Sequence, residues 1–83
     1  MKNVTIYTTN ICPYCVRAKA LLKKKNVEFN EINVEEPEER SKMMDKTNGS
    51  KSVPQIFIGS EHIGGCDDLY ALEQEGKLDK ILQ

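Results

Sequence analysis

The sequence changes from a strand pattern to a helix pattern within a few residues, and two cysteines stand at this change. Residues Val4 to Thr8 form a short run of β-branched and aromatic side chains, typical of a buried strand. From Pro13 to about Lys25 the apolar positions follow helical spacing, and Pro13 suits the first helical turn because its missing N–H removes no hydrogen bond there. The pattern predicts a strand followed directly by a helix, with Cys12 beside the helix N-terminus.

The rest of the chain predicts a mixed sheet covered by helices. Gly59-Ser60 separates two short apolar runs and indicates a hairpin. The order β-α-β-α-β-β-α with a short C-terminal helix implies one parallel and one antiparallel pair in a four-stranded sheet of an α/β fold. We expect a single domain over residues 1–83, because a chain of this length supports one core. The predicted strands are 4–8, 27–34, 55–58 and 61–63, and the predicted helices are 13–25, 35–44, 67–75 and 78–82.

Composition argues against two classes of partner. The chain has 12 Lys and Arg against 13 Asp and Glu, so it has no excess of positive charge for a phosphate backbone. Apolar runs such as residues 55–58 are far shorter than the roughly 20 residues that span a bilayer. Met1-Lys2-Asn3 leads into the first strand without an apolar signal region. We therefore expect no nucleic acid or membrane partner and a cytoplasmic location.

The chemistry of the chain is concentrated in Cys12-Pro13-Tyr14-Cys15. Three cysteines cannot all pair within one chain, and structural disulfides are rare in a reducing compartment. A free thiol has a pKa of about 8.5, but unpaired N–H groups at a helix N-terminus favour its thiolate. We therefore expect Cys12 to attack disulfides. Cys15, one turn further along and less accessible, is expected to resolve the mixed disulfide by exchange.

The same cysteine spacing also occurs as half of a structural zinc site. Tetrahedral zinc normally takes four ligands, and the remaining candidates here are Cys66 and His62. Neither belongs to a second pair at the usual spacing, so we favour redox chemistry and expect no metal ligands. His62 lies in a short strand pattern and is interpreted as an ordinary surface or half-buried histidine.

Three segments in order carry a resemblance that runs through essentially the whole chain: Cys12 to Cys15, residues 52–58 (SVPQIFI) and residues 64–69 (GGCDDL). In them the sequence resembles the glutaredoxin family, and most of all its small bacterial dithiol members. The resemblance implies a thioredoxin-like fold in which the Val53–Pro54 peptide is cis. It also implies a monomeric oxidoreductase that reduces glutathione-mixed disulfides and protein disulfides, with glutathione as reducing co-substrate and no bound cofactor.

The resemblance further implies a glutathione site beside the two cysteines. In it Val53 pairs with the peptide backbone and Tyr14 lines the groove. Helix N-terminal amides suit the carboxylate of the γ-glutamyl end, and an Asp carboxylate suits its ammonium. Plainer roles stay open, since the two Asp residues can serve only as helix caps, Tyr14 can simply pack, and Cys66 can be a small buried residue. The expected site residues are Tyr14, Val53, Pro54, Cys66, Asp67 and Asp68.

One position departs from the family pattern. Many members carry a lysine three residues before the nucleophile, where it contacts the glycine carboxylate of glutathione, and this chain has Thr9 there. Lys46 is expected to supply part of that contact. Arg17 and Lys19 can add positive potential near Cys12, although helix geometry alone does not settle which of them faces it.

Two alternative functions stay open at this point. One is an iron–sulfur carrier, in which Cys12 of two chains and two glutathiones bind one cluster. Carriers of this family typically have a single active-site cysteine followed by small residues, so Pro13 and Cys15 disfavour it. The other is a redoxin that serves ribonucleotide reductase. It would take its electrons from thioredoxin reductase, whereas the glutathione-dependent enzyme takes them from glutathione.

Overall fold

The computed structural model describes residues 2–83, which form four strands and four helices. The chain begins with a strand, a helix and a second strand, and it ends with a hairpin followed by two helices, as the sequence pattern predicts. Helix α1 begins with Pro13 in its first turn and ends before Asn26, which adopts a positive φ of 58°. The elements are β1 (Val4–Thr8), α1 (Pro13–Lys24), β2 (Phe29–Asn33), α2 (Pro37–Lys46), β3 (Gln55–Ile58), β4 (Glu61–Gly64), α3 (Cys66–Gln74) and α4 (Leu78–Leu82).

The four strands form one mixed sheet in the order β2-β1-β3-β4. β1 pairs parallel with β2, and Val4 lies opposite Phe29. β1 pairs antiparallel with β3, and β3 pairs antiparallel with β4. The parallel pair connected through α1 and the antiparallel hairpin confirm the mixed sheet expected from the order of elements.

The two faces of the sheet carry separate hydrophobic clusters. Side chains alternate along β1, so Ile6 faces the larger cluster and Tyr7 faces the smaller one. Helices α1, α3 and α4 cover the larger cluster, to which Leu22, Leu69 and Leu78 contribute fully buried side chains. α2 covers the other face with Met43, which is also fully buried. None of the helices in residues 2–83 has the length and hydropathy needed to span a bilayer.

Three chain segments meet at one edge of this sheet. β1 ends at Thr8 and leads into the loop before α1. Because β3 runs antiparallel to β1, the residues that precede Gln55 lie at the same edge, as its pairing with Tyr7 shows. β4 ends there too, and α3 begins two residues after Gly64. The strand pairing thus brings the cysteine pair, the Val53–Pro54 segment and the N-terminus of α3 together.

Two predicted elements, the second helix and the second strand, had wrong boundaries by one or two residues at each end. Helix α2 spans Pro37–Lys46 rather than 35–44, because Glu35 is engaged outside the helix. The backbone N–H of Glu35 donates to Asn33 Oδ1 at 2.9 Å, and its carboxylate accepts the N–H of Asn10 at 2.7 Å. The second strand is shorter than predicted because Val27 still donates its N–H to a carbonyl of α1.

Candidate active site

The sulfur of Cys12 lies at the N-terminus of α1. Cys12 is the N-cap residue, with extended backbone angles of φ −152° and ψ 94°. Its Sγ accepts a hydrogen bond from the backbone N–H of Cys15 at 3.1 Å, and Pro13 occupies the first turn. Otherwise unpaired amides and the positive end of the α1 dipole therefore face this sulfur. These are the conditions that favour a thiolate when the sulfur is reduced.

Cys12 and Cys15 are bonded to each other as a disulfide, with their Cα atoms 5.2 Å apart. The two sulfurs differ in access to solvent: Cys12 is partly exposed, whereas Cys15 is only 1% exposed. An incoming thiolate or disulfide can therefore reach Cys12 and not Cys15. The order of accessibility predicted from the sequence is confirmed.

A shallow groove of about 160 Å³ lies beside the cysteine pair. Tyr14, two residues after Cys12, forms one wall with a side chain that is 55% exposed. The Val53–Pro54 peptide is cis, as the resemblance implies. The groove gathers five of the six residues expected to bind glutathione, and its lining consists of Tyr14, Ser52, Val53, Pro54, Gly65, Cys66 and Asp67.

The sixth residue, Asp68, has a different environment from Asp67. Its Oδ2 accepts the backbone N–H of Gly65, the N-cap residue of α3, at 2.9 Å. Gly64 adopts a φ of 116°, and a Cβ there would collide with the Asp68 carboxylate. The plainer helix-cap role therefore applies to Asp68, while Asp67 is exposed and lines the groove. A glutathione contact by Asp68 stays a prediction.

Cys66 is the first residue of α3, and its thiol lies in the larger hydrophobic cluster. The residue is only 4% exposed. Burial raises the pKa of the Cys66 thiol, and the positive charge of Arg17 opposes this shift while the Asp67 carboxylate adds to it. A neutral buried thiol is a poor nucleophile. The structure thus supports the interpretation of Cys66 as a small buried residue beside the groove.

Arg17 and Lys19, the two basic residues of α1 considered for a place near Cys12, have other partners. The Arg17 guanidinium lies over the rings of Tyr14 and Tyr70, 5.8 Å and 5.4 Å from their centroids. The Tyr70 hydroxyl also donates to the Arg17 carbonyl at 3.1 Å, which ties α3 to α1. The ammonium of Lys19 lies 2.9 Å from the Glu31 carboxylate. Arg17 therefore supports the Tyr14 wall of the groove, and the charge of Lys19 is compensated.

Thr9 and Lys46 do not line this groove. The ammonium of Lys46 donates to the Tyr7 hydroxyl at 3.2 Å and lies 6.0 Å from the centre of that ring. It lines a separate groove of about 410 Å³ on the α2 side of the sheet, together with Phe57 and Gly59. Thr9 is partly buried just after β1. A contact of either residue with glutathione stays a prediction.

A polar network holds the loop that precedes Cys12, and sequence analysis missed it. Asn33 Nδ2 donates to Asn10 Oδ1 at 2.7 Å, in addition to the contacts of Glu35 described above. Below it, Thr8 donates its hydroxyl to Glu31 at 2.7 Å. The hydrogen bonds from Lys19 and Thr8 hold the pKa of the Glu31 carboxyl below its ordinary value. The Thr8–Glu31 and Asn10–Asn33 hydrogen bonds each join residues 23 positions apart, so no local sequence signal points to them.

His62 is an exposed residue of β4. Its Nε2 lies 2.6 Å from Gln55 Oε1, and its ring stacks on Phe57 with the centroids 4.8 Å apart. The sequence interpretation of an ordinary surface histidine is confirmed. Within residues 2–83 no three His, Cys, Asp or Glu side chains are placed to bind one metal ion together.

The chain is similar to known bacterial proteins over its full length. Residues 4–63 match the family model described as Glutaredoxin. A glutaredoxin of Pseudomonas aeruginosa is 57% identical over 99% of this chain and 98% of its own length. Glutaredoxin 3 of Escherichia coli is 53% identical over the whole of both chains.

Solved structures show the same likeness. The solution structure of a glutaredoxin from Brucella melitensis has 59% identity and a TM-score of 0.86, over 99% of this chain and 89% of that one. The crystal structure of a buckwheat glutaredoxin–glutathione complex has 29% identity and a TM-score of 0.85, over 95% of this chain and 74% of that one. The fold is therefore thioredoxin-like, and the chain belongs to the glutaredoxin family of thiol oxidoreductases.

Proposed function

We propose that this chain is a glutathione-dependent thiol–disulfide oxidoreductase that reduces glutathione-mixed disulfides and protein disulfides. One observation carries the proposal: the partly exposed sulfur of Cys12 accepts a backbone N–H at the N-terminus of α1. A thiolate is the reactive form in disulfide exchange, and this position stabilises it before any substrate arrives. The groove beside the pair supplies a place for the tripeptide that delivers the electrons.

The first reaction uses Cys12 alone. Its thiolate attacks the glutathione sulfur of a mixed disulfide, so a Cys12–glutathione bond forms and the client leaves as a thiolate that takes a proton from water. The thiolate of a second glutathione then attacks this bond. Glutathione disulfide leaves and the Cys12 thiolate is restored, so one free glutathione is consumed for each client thiol released.

The second reaction also needs Cys15. When Cys12 has attacked a protein disulfide, the buried sulfur of Cys15 displaces the client and closes the disulfide seen in the structure. Its low exposure favours this intramolecular attack over reaction with other thiols in solution. Two glutathiones then reduce the pair in sequence.

Glutathione matches the chemistry of the groove. It is an extended tripeptide with a carboxylate at each end and an ammonium at the γ-glutamyl end. The N-terminal amides of α3 suit a carboxylate, and the exposed Asp67 suits the ammonium. Val53 lies in the lining where its backbone groups can pair with the tripeptide. The buckwheat relative binds glutathione, as its complex shows, which supports the same ligand here.

The proposal is tested by a glutathione-coupled assay on a small mixed disulfide of cysteine and glutathione, with three proteins compared. The unchanged chain is expected to turn over. Cys12→Ser is expected to lose turnover by more than about a thousandfold, because the nucleophile is gone. Cys15→Ser is expected to keep turnover on this substrate and to lose the reduction of a protein disulfide.

Equal loss in both variants contradicts the roles given to the two cysteines. Absence of glutathione-dependent turnover in the unchanged chain overturns the proposal itself. Offering thioredoxin reductase in place of glutathione as sole electron source then tests the redoxin alternative. No contact among residues 2–83 specifically favours the iron–sulfur carrier, which anaerobic cluster reconstitution followed by visible absorption tests.

Three further expectations belong to this proposal. Residues 1–83 act as one glutaredoxin domain, in agreement with the continuous core that joins β1, α1 and α4. The chain acts as a monomer on glutathionylated and disulfide-containing proteins. It works in the cytoplasm, where the glutathione pool keeps the Cys12–Cys15 pair reduced.

A further inference from the structure

Gln55 is a buried amide that directly follows the Val53–Pro54 segment of the groove beside the cysteine pair. It is the first residue of β3 and only 4% exposed. Burial of an amide costs free energy unless its hydrogen-bonding groups find partners, and an apolar side chain of similar size would fill the position without this requirement. Packing of the sheet alone therefore does not call for an amide here, and the partners of Gln55 indicate its role.

The amide nitrogen of Gln55 contacts the loop that precedes β3. Its Nε2 lies 2.9 Å from the Ser52 carbonyl oxygen, 3.1 Å from Ser52 Oγ and 3.0 Å from Ser50 Oγ. The two hydrogens of the amide are shared among these three oxygens. In the part of the chain that the structure describes, residues 51–53 make no backbone–backbone hydrogen bond of their own. The Gln55 side chain thus supplies polar contacts that the backbone of this loop lacks.

The Ser52 carbonyl belongs to the same peptide group as the N–H of Val53. A trans peptide group is planar, and its C=O and N–H point in opposite directions. A hydrogen bond that holds the Ser52 carbonyl toward Gln55 therefore directs the Val53 N–H away from Gln55. Ser52 and Val53 both line the groove, and the proposed binding of glutathione uses the backbone groups of Val53.

His62 determines which way the amide of Gln55 faces. Its Nε2 lies 2.6 Å from Gln55 Oε1, and because that oxygen can only accept, Nε2 carries the hydrogen. The reversed amide would place Oε1 against the Ser52 carbonyl oxygen, which leaves two acceptors with no hydrogen between them. Stacking on Phe57 holds the imidazole ring in place. His62 therefore stabilises the orientation in which the amide nitrogen faces the loop.

We infer that Gln55 is a positioning residue for glutathione. Its amide holds the Ser52–Val53 peptide in the orientation that presents the Val53 N–H to the tripeptide, and His62 holds the amide. This inference rests on the proposed function and adds a chain of hydrogen bonds from the surface of β4 to the groove. Neither Gln55 nor His62 lines the groove, so their loss is expected to weaken glutathione binding and to leave Cys12 as reactive as before.

The test measures KM and kcat with glutathione as the varied substrate in the coupled assay. Gln55→Met replaces the amide by an unbranched apolar side chain of similar length. It is expected to raise the KM for glutathione about tenfold and to change kcat by less than about twofold, because the oriented N–H contributes to binding.

Two changes at His62 form a matched pair. His62→Phe keeps a ring that stacks on Phe57 and removes the donor to Gln55, so it is expected to raise the KM for glutathione about threefold. His62→Gln removes the ring but places an amide nitrogen where Nε2 was, and it is expected to keep the KM of the unchanged chain. His62 is exposed, so both variants are expected to fold, and far-ultraviolet circular dichroism checks this for every variant.

Two further measurements distinguish positioning from a general loss of structure. Alkylation of Cys12 by iodoacetamide does not use the groove, so reduced Cys15→Ser protein is expected to react at the same rate with and without Gln55→Met. In the double variant Gln55→Met, His62→Phe, the change of His62 is expected to add nothing to the KM, because it acts through an amide that is gone.

The inference is overturned if the KM for glutathione is unchanged in Gln55→Met, if the two His62 variants have equal effects, or if the effects add in the double variant. A Cys12 alkylation rate that falls as the KM rises also contradicts it, because the network then acts on the nucleophile. These results leave the proposed function intact as long as the unchanged chain turns over with glutathione. If the unchanged chain does not, the proposed function is wrong and the inference falls with it.

Discussion

The N-termini of α1 and α3 each carry a cysteine, and the two sulfurs have opposite properties. Cys12 is the N-cap of α1, partly exposed, and its sulfur accepts a backbone N–H. Cys66 is the first residue of α3, 4% exposed and packed in the larger hydrophobic cluster. Burial raises the pKa of the Cys66 thiol. Nearly the same helix position thus holds a partly exposed sulfur in one place and a buried one in the other.

The difference indicates that solvation decides whether a helix N-terminus can favour a thiolate. At α1 the N-cap geometry leaves the sulfur facing both the amides and water. At α3 the N-cap residue is Gly65, and its backbone N–H donates a hydrogen bond to the Asp68 carboxylate. The helix end therefore has a side-chain partner of its own, and the thiol beside it turns into the core. Desolvation then raises the pKa of the Cys66 thiol by more than the α3 dipole lowers it.

Alkylation with iodoacetamide is expected to show the largest contrast. In reduced Cys15→Ser protein under native conditions, Cys12 is expected to react at least about 100-fold faster than Cys66, because Cys66 must become exposed by local opening first. Peptide mass spectrometry over time measures both rates in one sample. Comparable alkylation rates of Cys12 and Cys66 in the folded protein would contradict the described difference between the two sulfurs. As a control, both cysteines are expected to react at equal rates in urea.

Gly64→Ala tests how the α3 end is built. The φ of 116° and the Asp68 carboxylate leave no room for a Cβ, so we expect a loss of about 2 kcal/mol in unfolding free energy. Gly76→Ala is the control, since Gly76 has a φ of 73° and a Cβ added there would meet nothing within 4 Å. It is expected to lose about 1 kcal/mol through backbone strain alone. Urea unfolding that gives equal losses contradicts the described contact.

The two neighbouring carboxylates of α3 are expected to separate into a stabilising and a binding role. Asp68→Ala removes the hydrogen bond to Gly65 and is expected to lower the unfolding free energy by about 1 kcal/mol. Asp67→Ala is expected to change it by less than about 0.5 kcal/mol and to raise the KM for glutathione. Urea unfolding and the coupled assay measure the two effects. An exchange of roles between the variants would refute the assignment.

The pH dependence of stability gives the smallest expected effect. The folded pKa of Cys66 lies above that of the unfolded thiol, so above about pH 8.5 the unfolded chain releases a proton that the folded chain keeps. Stability is then lost as pH rises, with a slope of at most about 1.4 kcal/mol per pH unit from this group. The unfolding free energy is measured against pH for the oxidised unchanged chain and for oxidised Cys66→Ala. The difference between the two curves gives the contribution of Cys66. A flat difference contradicts the buried thiol.

Local sequence patterns predicted the elements that position the nucleophile. The strand-to-helix change and Pro13 act over a few residues, so the position of Cys12 at the helix N-terminus could be predicted from the sequence. The glutathione groove was predicted only through the resemblance, since no periodicity indicates that Val53 and Cys66 meet. The contact of Gly64 with Asp68 was missed because it depends on the positive φ of Gly64.

Contacts between distant residues explain what the sequence did not predict. Asn10 and Asn33 are 23 positions apart and meet because β1 and β2 run parallel to the same edge. Glu35 was predicted within the second helix, yet its carboxylate holds the loop before Cys12. Lys46 was expected near glutathione, but its position on α2 places it beside Tyr7. Each outcome depends on strand register and on which face of the sheet a helix covers.

The most direct test of the contrast between Cys12 and Cys66 is a titration of the two sulfurs in one folded chain. Thiolate absorbance of reduced Cys15→Ser protein is followed across pH, and the same titration of the Cys15→Ser, Cys66→Ala double variant identifies the Cys12 signal. We expect Cys12 to ionise below the pH range of an ordinary thiol and Cys66 to ionise above it. Ionisation of Cys12 at or above the pH at which Cys66 ionises would contradict the activation of Cys12 by the N-terminus of α1.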